Sequence, residues 1–342
     1  MEKVNGTFDG IMSEITSGLT GDLSADLSYL EAQCDKYKNH EFSQEIARAC
    51  GRLIYDLIPD DKKADFMQAL NNDSAGIEAS LDEARFNIYK HDYAKALKIM
   101  DVLVGNIEEM KSFQDDKVSE YRIFNEPFEK VLYCHKEKTK KDIRPVPSIP
   151  YTEIYLLYGS LMIELKRYDD ARAALKKALH WNPVHFRVMS EYMETYKVTG
   201  DLEKFFSLTL EAFKIAFHAP DIARCHRNLG YYFVEKDLYQ EAIACYQLSA
   251  EFGKSQQVQS ELSYISAKTN GKITAPTIED VKGYAEKYGF PVGADDDVLG
   301  LAVSCASASL ENGEKDAARY FFSIAYEMTT SPYVKGMLDR LS

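Results

Sequence analysis

A chain of 342 residues that is 45% hydrophobic and 28% charged carries enough apolar side chain to bury a large core, which excludes a disordered polymer. Its formal charge of −13 repels polyanions and excludes nonspecific nucleic-acid binding. No apolar run approaches the ~18 to 20 residues of a membrane-spanning helix, and the opening stretch lacks the basic-then-apolar order of a secretory leader.

The expected setting is therefore cytoplasmic, with no membrane contact. Six scattered cysteines without a CxxC pair suit reduced, buried thiols better than disulfides or a zinc site. Residues 27–37 and 41–57, divided by KNHE and stopped by Pro59, predict a helical hairpin that caps the chain, within an N-terminal region spanning 1–75. A region from 76 to 135 follows. There Ala84, Tyr93, Ala96 and Leu103 stand at helical spacings, and an irregular helix is expected over 118–134. The stretch 136–150 joins the charge run KEKTKKDIR to RPVPSIP, three prolines in short succession. That composition predicts an extended, solvated loop sensitive to proteases. No strand pattern competes with the helical one.

Within 151–251 the pattern becomes regular. Apolar residues recur at three and four from 151 to 179, with a break over 166–170, so two helices are expected. Gly159, Ala171 and Ala178 place small side chains where two helices, or two helix pairs, must approach closely. Pro183 ends the second helix, since proline cannot join the helical ladder. Seventy-one residues beyond Gly159 stands Gly230, and Tyr239, Ala242, Tyr246 and Ser249 repeat the offsets of Tyr168, Ala171, Leu175 and Ala178. A middle copy carries Met193 in the glycine position, Gly200 at the corner and Ala212. In the last region, 252–342, helices are expected over 258–268 and 277–287, the latter opened by a Thr277-x-x-Asp280 cap. Ala306, Gly313, Ala318, Phe322 and Ala325 give one more copy.

These spacings resemble the tetratricopeptide repeat, whose unit of about 34 residues carries W-x2-L-G-x2-Y, A-x3-F and P. Tyr155-x2-Tyr158-Gly159-x2-Met162, Ala171-x3-Leu175 and Pro183 match one copy. His226-x2-Leu229-Gly230-x2-Phe233 with Ala242-x3-Tyr246 matches another. The resemblance implies an all-α, right-handed α-solenoid of about six or seven antiparallel helix pairs, and a bacterial source was expected with it. It further implies that the first helix of each unit lines a concave groove. Carried onto this chain, the groove would present Glu153, Leu156, Ser160 and Ile163, then Arg187, Ser190, Glu194 and Lys197, then Arg224, Arg227, Asn228 and Tyr231.

From these, Arg187, Glu194, Arg224, Arg227, Asn228 and Tyr231 form the candidate partner-binding site. Three arginines on one face of an acidic chain suit an acidic peptide or a C-terminal carboxylate, because the guanidinium fork pairs with carboxylates in two-point geometry. Internal pairing with Glu191, Glu194 and Glu235 is the competing explanation. The sequence holds no GxSxG, P-loop or HExxH. The adjacent pairs Cys134-His135 and Cys225-His226 point about 100° apart if helical, which does not suit a nucleophile with its base. The expectation is a non-enzymatic, peptide-binding scaffold without metal or cofactor. A sensor that binds a small signalling peptide or metabolite is the alternative, and an enzyme with an unrecognised site is a third.

Overall fold

The computed structural model describes residues 7–59, 62, 74–109, 113–116, 119–146, 149–329 and 331–341. Of the expected features, parts of the capping region (1–6, 60–61 and 63–73), the start of the helix at 118 and loop positions 147 and 148 lie outside these residues. The described chain is an all-α helical-repeat structure of seventeen helices with one small two-stranded sheet. It divides into two compact units, one formed by 1–115 with 146–166 and the other by 116–145 with 167–342.

The first unit holds α1 (Phe8–Ser17), α2 (Leu23–Tyr37), α3 (Ser43–Leu57), α4 (Ser74–Tyr89), α5 (Tyr93–Glu109) and α7 (Tyr151–Glu164). The expected capping hairpin is α2 and α3. Its apolar seam, Leu30, Tyr37, Ile46 and Cys50, is completed by Ile11 and Ile15 of α1, a helix that the sequence reading passed over. In this unit α7 packs on α4 and α5, and Tyr158 donates a 2.7 Å hydrogen bond to Asp101.

The second unit opens with β1 (Ser119–Arg122), α6 (Pro127–Glu137) and β2 (Asp142–Pro145), where the two strands pair in parallel. This corrects the expectation of a strandless segment ending in a free loop. Strands of four residues are too short to display a period of two, and their pairing depends on a partner more than twenty positions away, so no local pattern announced them. Pro145 stands at the strand's end, where a missing donor is tolerated. Helix α6 buries Phe128, Leu132 and Tyr133, with the Phe128 ring edge-on to Phe217 at 5.0 Å. His218 fastens it further. Its Nε2 lies 3.0 Å from Glu126 and its Nδ1 3.0 Å from Glu327, while Tyr320 donates to Glu126 at 2.9 Å.

After this insert come α8 (Tyr168–Trp181), α9 (Phe186–Val198), α10 (Leu202–Phe213), α11 (Ala219–Glu235), α12 (Tyr239–Phe252), α13 (Gln256–Lys268), α14 (Ile278–Tyr288), α15 (Asp296–Glu311), α16 (Lys315–Thr329) and α17 (Pro332–Leu341). Each of α8 to α12 packs against the next, and α15 with α16 forms another close pair. The expected cap on α14 is a complete capping box, Thr277 and Asp280 each accepting from the other's backbone N–H.

The repeat is clearest at its corners. His91, Gly200, Asp237 and Gly313 all have positive φ, and each stands two residues before a returning helix; Lys166, two residues before α8, has a positive φ as well. At the four returning corners the following residue donates to the carbonyl five positions back: Asp92 to Asn87, Asp201 to Tyr196, Leu238 to Phe233 and Glu314 to Ser309. A left-handed residue closed by such a bond reverses the chain and satisfies a helix-end carbonyl at the same time. Gly159 lies buried on α7 of the first unit and Ala171 on α8 of the second. Gly230 shows directly why a small residue is needed, since a Cβ there would stand 2.5 to 2.8 Å from the Tyr246 ring.

Candidate functional site

Helices α9 and α11 each turn one face toward a cavity of about 370 Å³ in the second unit, lined by Glu194, Lys197, Arg224, Arg227, Asn228, Tyr231, Tyr246 and Gln257. Spacings of three and four put Arg224, Arg227 or Asn228, and Tyr231 on one stripe of α11. Glu194 and Lys197 are a turn apart on α9. Helix α12 contributes Tyr246 and α13 contributes Gln257.

The six sequence-predicted residues are thus mostly brought together. Arg187 is the exception: it is exposed, does not line the cavity, and stands two turns before Glu194, about 10 Å along the helix axis. Two other positions expected in the groove, Leu156 and Ser190, are buried instead. Sequence reasoning left Lys197 out of the final set, treated Tyr246 only as a repeat position and missed Gln257. Tyr246 holds the A-x3-F position of its repeat copy. Its ring does pack on Gly230, but the same ring walls the cavity.

The electrostatics of the lining are unequal. Lys197 Nζ lies 3.5 Å from Glu194 and 4.6 Å from the centre of the Tyr231 ring, so this cation is partly answered. Arg224 and Arg227 make no ion pair or hydrogen bond among the described residues. Asp221, one turn before Arg224, has its carboxyl pushed up to about 6, chiefly by burial, with His218 and Arg224 pulling the other way. Burial and the neighbouring Arg224 lower the pKa of Arg227, as expected for two like charges held close together.

The neutral donors are also unengaged. Asn228 is 9% exposed and makes no side-chain hydrogen bond among the described residues. The Tyr246 side chain is 2% exposed, and no protein group accepts its hydroxyl in bonding geometry. Glu261 stands close enough to Tyr246 for both its charge and its capacity to accept that hydroxyl to add to burial in raising the tyrosine's pKa. Burial raises the pKa of Tyr231, with Glu235, Glu194 and Glu261 adding to the effect. Buried polar groups normally find partners, so a wall with several idle donors is an arrangement suited to a polar, negatively charged guest.

The adjacent Cys225 and His226 face away from one another's chemistry. His226 Nε2 donates to the Gly293 carbonyl at 3.2 Å, and the ring packs edge-on to Phe213 at 4.8 Å. Burial drives the Cys225 thiol well above its ordinary range and holds His226 neutral, its pKa lowered to about 4. A thiol that resists ionisation beside an imidazole committed to a carbonyl does not form an activated nucleophile. Among the described residues no group of three or more His, Cys, Asp or Glu could hold a metal ion, and no helix is long and apolar enough to cross a membrane.

No family model and no curated protein matches the sequence. Among solved structures, a tetratricopeptide repeat protein from Parabacteroides merdae aligns over 97% of this chain and 98% of its own, at 14% identity and a TM-score of 0.36. The APC/C hetero-tetramer Cut9-Hcn1 aligns over 94% of this chain and 77% of the matched one, at 12% identity and a TM-score of 0.25. Both similarities are too distant to bear on the site, whose description rests on this chain's own helices and side chains.

Proposed function

We infer that the chain is a protein-interaction scaffold whose second unit anchors an acidic segment of a partner in the cavity walled by α9, α11, α12 and α13. The observation that carries this is the pair Arg224 and Arg227, which line one cavity and form no ion pair among the described residues, Asp221 acting on Arg224 only through its field. Each charge-assisted hydrogen bond to a carboxylate there is worth roughly 1.5 to 3 kcal/mol. A partner's acidic side chain or C-terminal carboxylate supplies the missing charge. Arg187, outside the cavity but on the same helix as Glu194 and Lys197, is placed to meet a segment that continues along α9.

The size of the cavity favours a second reading, a sensor for a small ligand, because about 370 Å³ accommodates a small molecule or one or two residues. The test is fluorescence anisotropy with short peptides ending in acidic or basic residues, at two salt concentrations, on the wild type and the Arg224→Ala, Arg227→Ala double variant. Salt-sensitive binding of acidic peptides that the double variant loses supports the scaffold. Unchanged affinity in a folded double variant rejects the site.

A further inference from the structure

We propose that the cavity on α9, α11 and α12 is a receptor for a phosphomonoester dianion. The assignment rests on this cavity being the binding site and goes further by naming the chemistry of the guest. The first argument is charge. Arg224, Arg227 and Lys197 line the cavity against the one carboxylate of Glu194, and Lys197 is already engaged with that carboxylate. Among the lining side chains two positive charges are in excess, and Asp221 acts on Arg224 without forming an ion pair, so a single carboxylate in direct contact leaves one guanidinium without a bonded partner, whereas a phosphomonoester brings close to two negative charges near neutral pH.

The second argument is the arrangement of donors. Arg224, Arg227, Asn228 and Tyr231 approach from α11 and Tyr246 from α12, so hydrogen-bond donors come from separate helices. A carboxylate offers two oxygens in one plane. A phosphoryl group offers three acceptor oxygens arranged as a tripod, so it can take donors from both helices at once. The third argument is confinement. The chain carries −13 overall, and Asp221, Glu235 and Glu261 lie close enough to influence the lining groups electrostatically. An extended polyanion is therefore repelled by these carboxylates, while a compact dianion touches only the lining, where cations outnumber the carboxylate three to one. The cavity of about 370 Å³ has room for the phosphoryl group and a small organic remainder packed between the two tyrosines. Either a phosphorylated residue of a partner or a free small phosphate ester presents this chemistry.

Calorimetric titration of the full chain tests the assignment with a phosphoserine peptide, glycerol phosphate, sulfate, glutarate and an unphosphorylated acidic peptide, at about pH 5.2 and 7.5. Phosphomonoesters are expected to bind at least tenfold tighter than glutarate. Sulfate remains a dianion throughout, so it reports changes in the protein, including the ionisation of Asp221. Relative to sulfate, phosphomonoester affinity should rise about sevenfold between the two pH values, following the second phosphate ionisation near pH 6. Arg227→Gln should weaken binding at least tenfold. Tyr246→Phe should weaken it severalfold in a chain that still melts cooperatively.

The source follows from the arms that bind: a peptide far tighter than glycerol phosphate means a phosphorylated partner, and the two bound alike means a free ester. Glutarate or the acidic peptide binding as tightly as the phosphomonoesters, with loss in Arg227→Gln, overturns the phosphate assignment and leaves the acidic-segment site standing. No binding in any arm overturns both.

Discussion

Replacing Gly230 by alanine adds a single methyl group where α11 packs on α12. A Cβ at that position would stand 2.5, 2.7 and 2.8 Å from Cε1, Cζ and Cδ1 of Tyr246, whereas carbon atoms prefer roughly 3.5 to 4.0 Å. The ring or the helix must therefore retreat by about 1 Å. The ring edge is not a free side-chain end, since Tyr246 is 2% exposed and fully packed. Overpacking of this kind costs about 1 to 3 kcal/mol, and the helix propensity of alanine over glycine returns about 0.8 to 1 kcal/mol. The expected net effect is a loss of up to about 2 kcal/mol, measured by guanidinium denaturation. Gly300→Ala is the matched control: it sits within a helix of the same unit with no heavy atom within 4 Å of a Cβ, and it should gain about 0.8 to 1 kcal/mol. The double variant Gly230→Ala, Tyr246→Leu should recover part of the loss if the contact is the cause. A Gly230→Ala chain stabilised as much as Gly300→Ala would show that the packing argument is wrong.

Acid should weaken the fold through His226: its folded pKa near 4, depressed by burial, lies below the ordinary 6.5, so the stability it lends is present above 6.5 and drains as pH falls toward 4. The cost at pH 5 is about 2 kcal/mol, read as a fall in the denaturation midpoint between pH 7 and 5 that His226→Phe diminishes. His218 has the opposite sign. Burial works against its charge, but hydrogen bonds to Glu126 and Glu327 outweigh this and raise its pKa, so its contribution is full below about 6.5 and is lost as pH rises through the raised value. His218→Gln should therefore cost about 1 kcal/mol at pH 6 and less at pH 9, and an equal cost at both would refute the ion-pair role. At the corners, Lys166→Gly should gain about 0.5 to 1 kcal/mol by relieving a left-handed non-glycine residue, and Gly200→Ala should lose about 1 kcal/mol by creating one. Thermal melts of the two variants test the pair.

Much of this protein follows from one-dimensional spacing. Small residues at Gly230, Ala171 and Ala242, and the corner glycines Gly200 and Gly313, mark a repeating helical hairpin because local geometry alone dictates where a chain reversal needs a left-handed residue. The Thr277 cap was legible for the same reason: donor and acceptor are three residues apart. The stripe Arg224, Arg227, Asn228 and Tyr231 was legible too, since helical periodicity fixes which side chains share a face. Contacts between distant segments were not. Sequence spacing could not show that β1 and β2 pair across α6, that Phe128 finds Phe217, or that His218 draws Glu126 and Glu327 together over 92 and 109 positions. Nor could it show which carboxylates the lining cations meet: the fold sets Glu194 3.5 Å from Lys197 and holds Asp221 within the electrostatic reach of Arg224. A helix face is a property of its own residues, whereas a cavity's charge balance is a sum over groups from several helices that only tertiary packing brings within Coulombic reach.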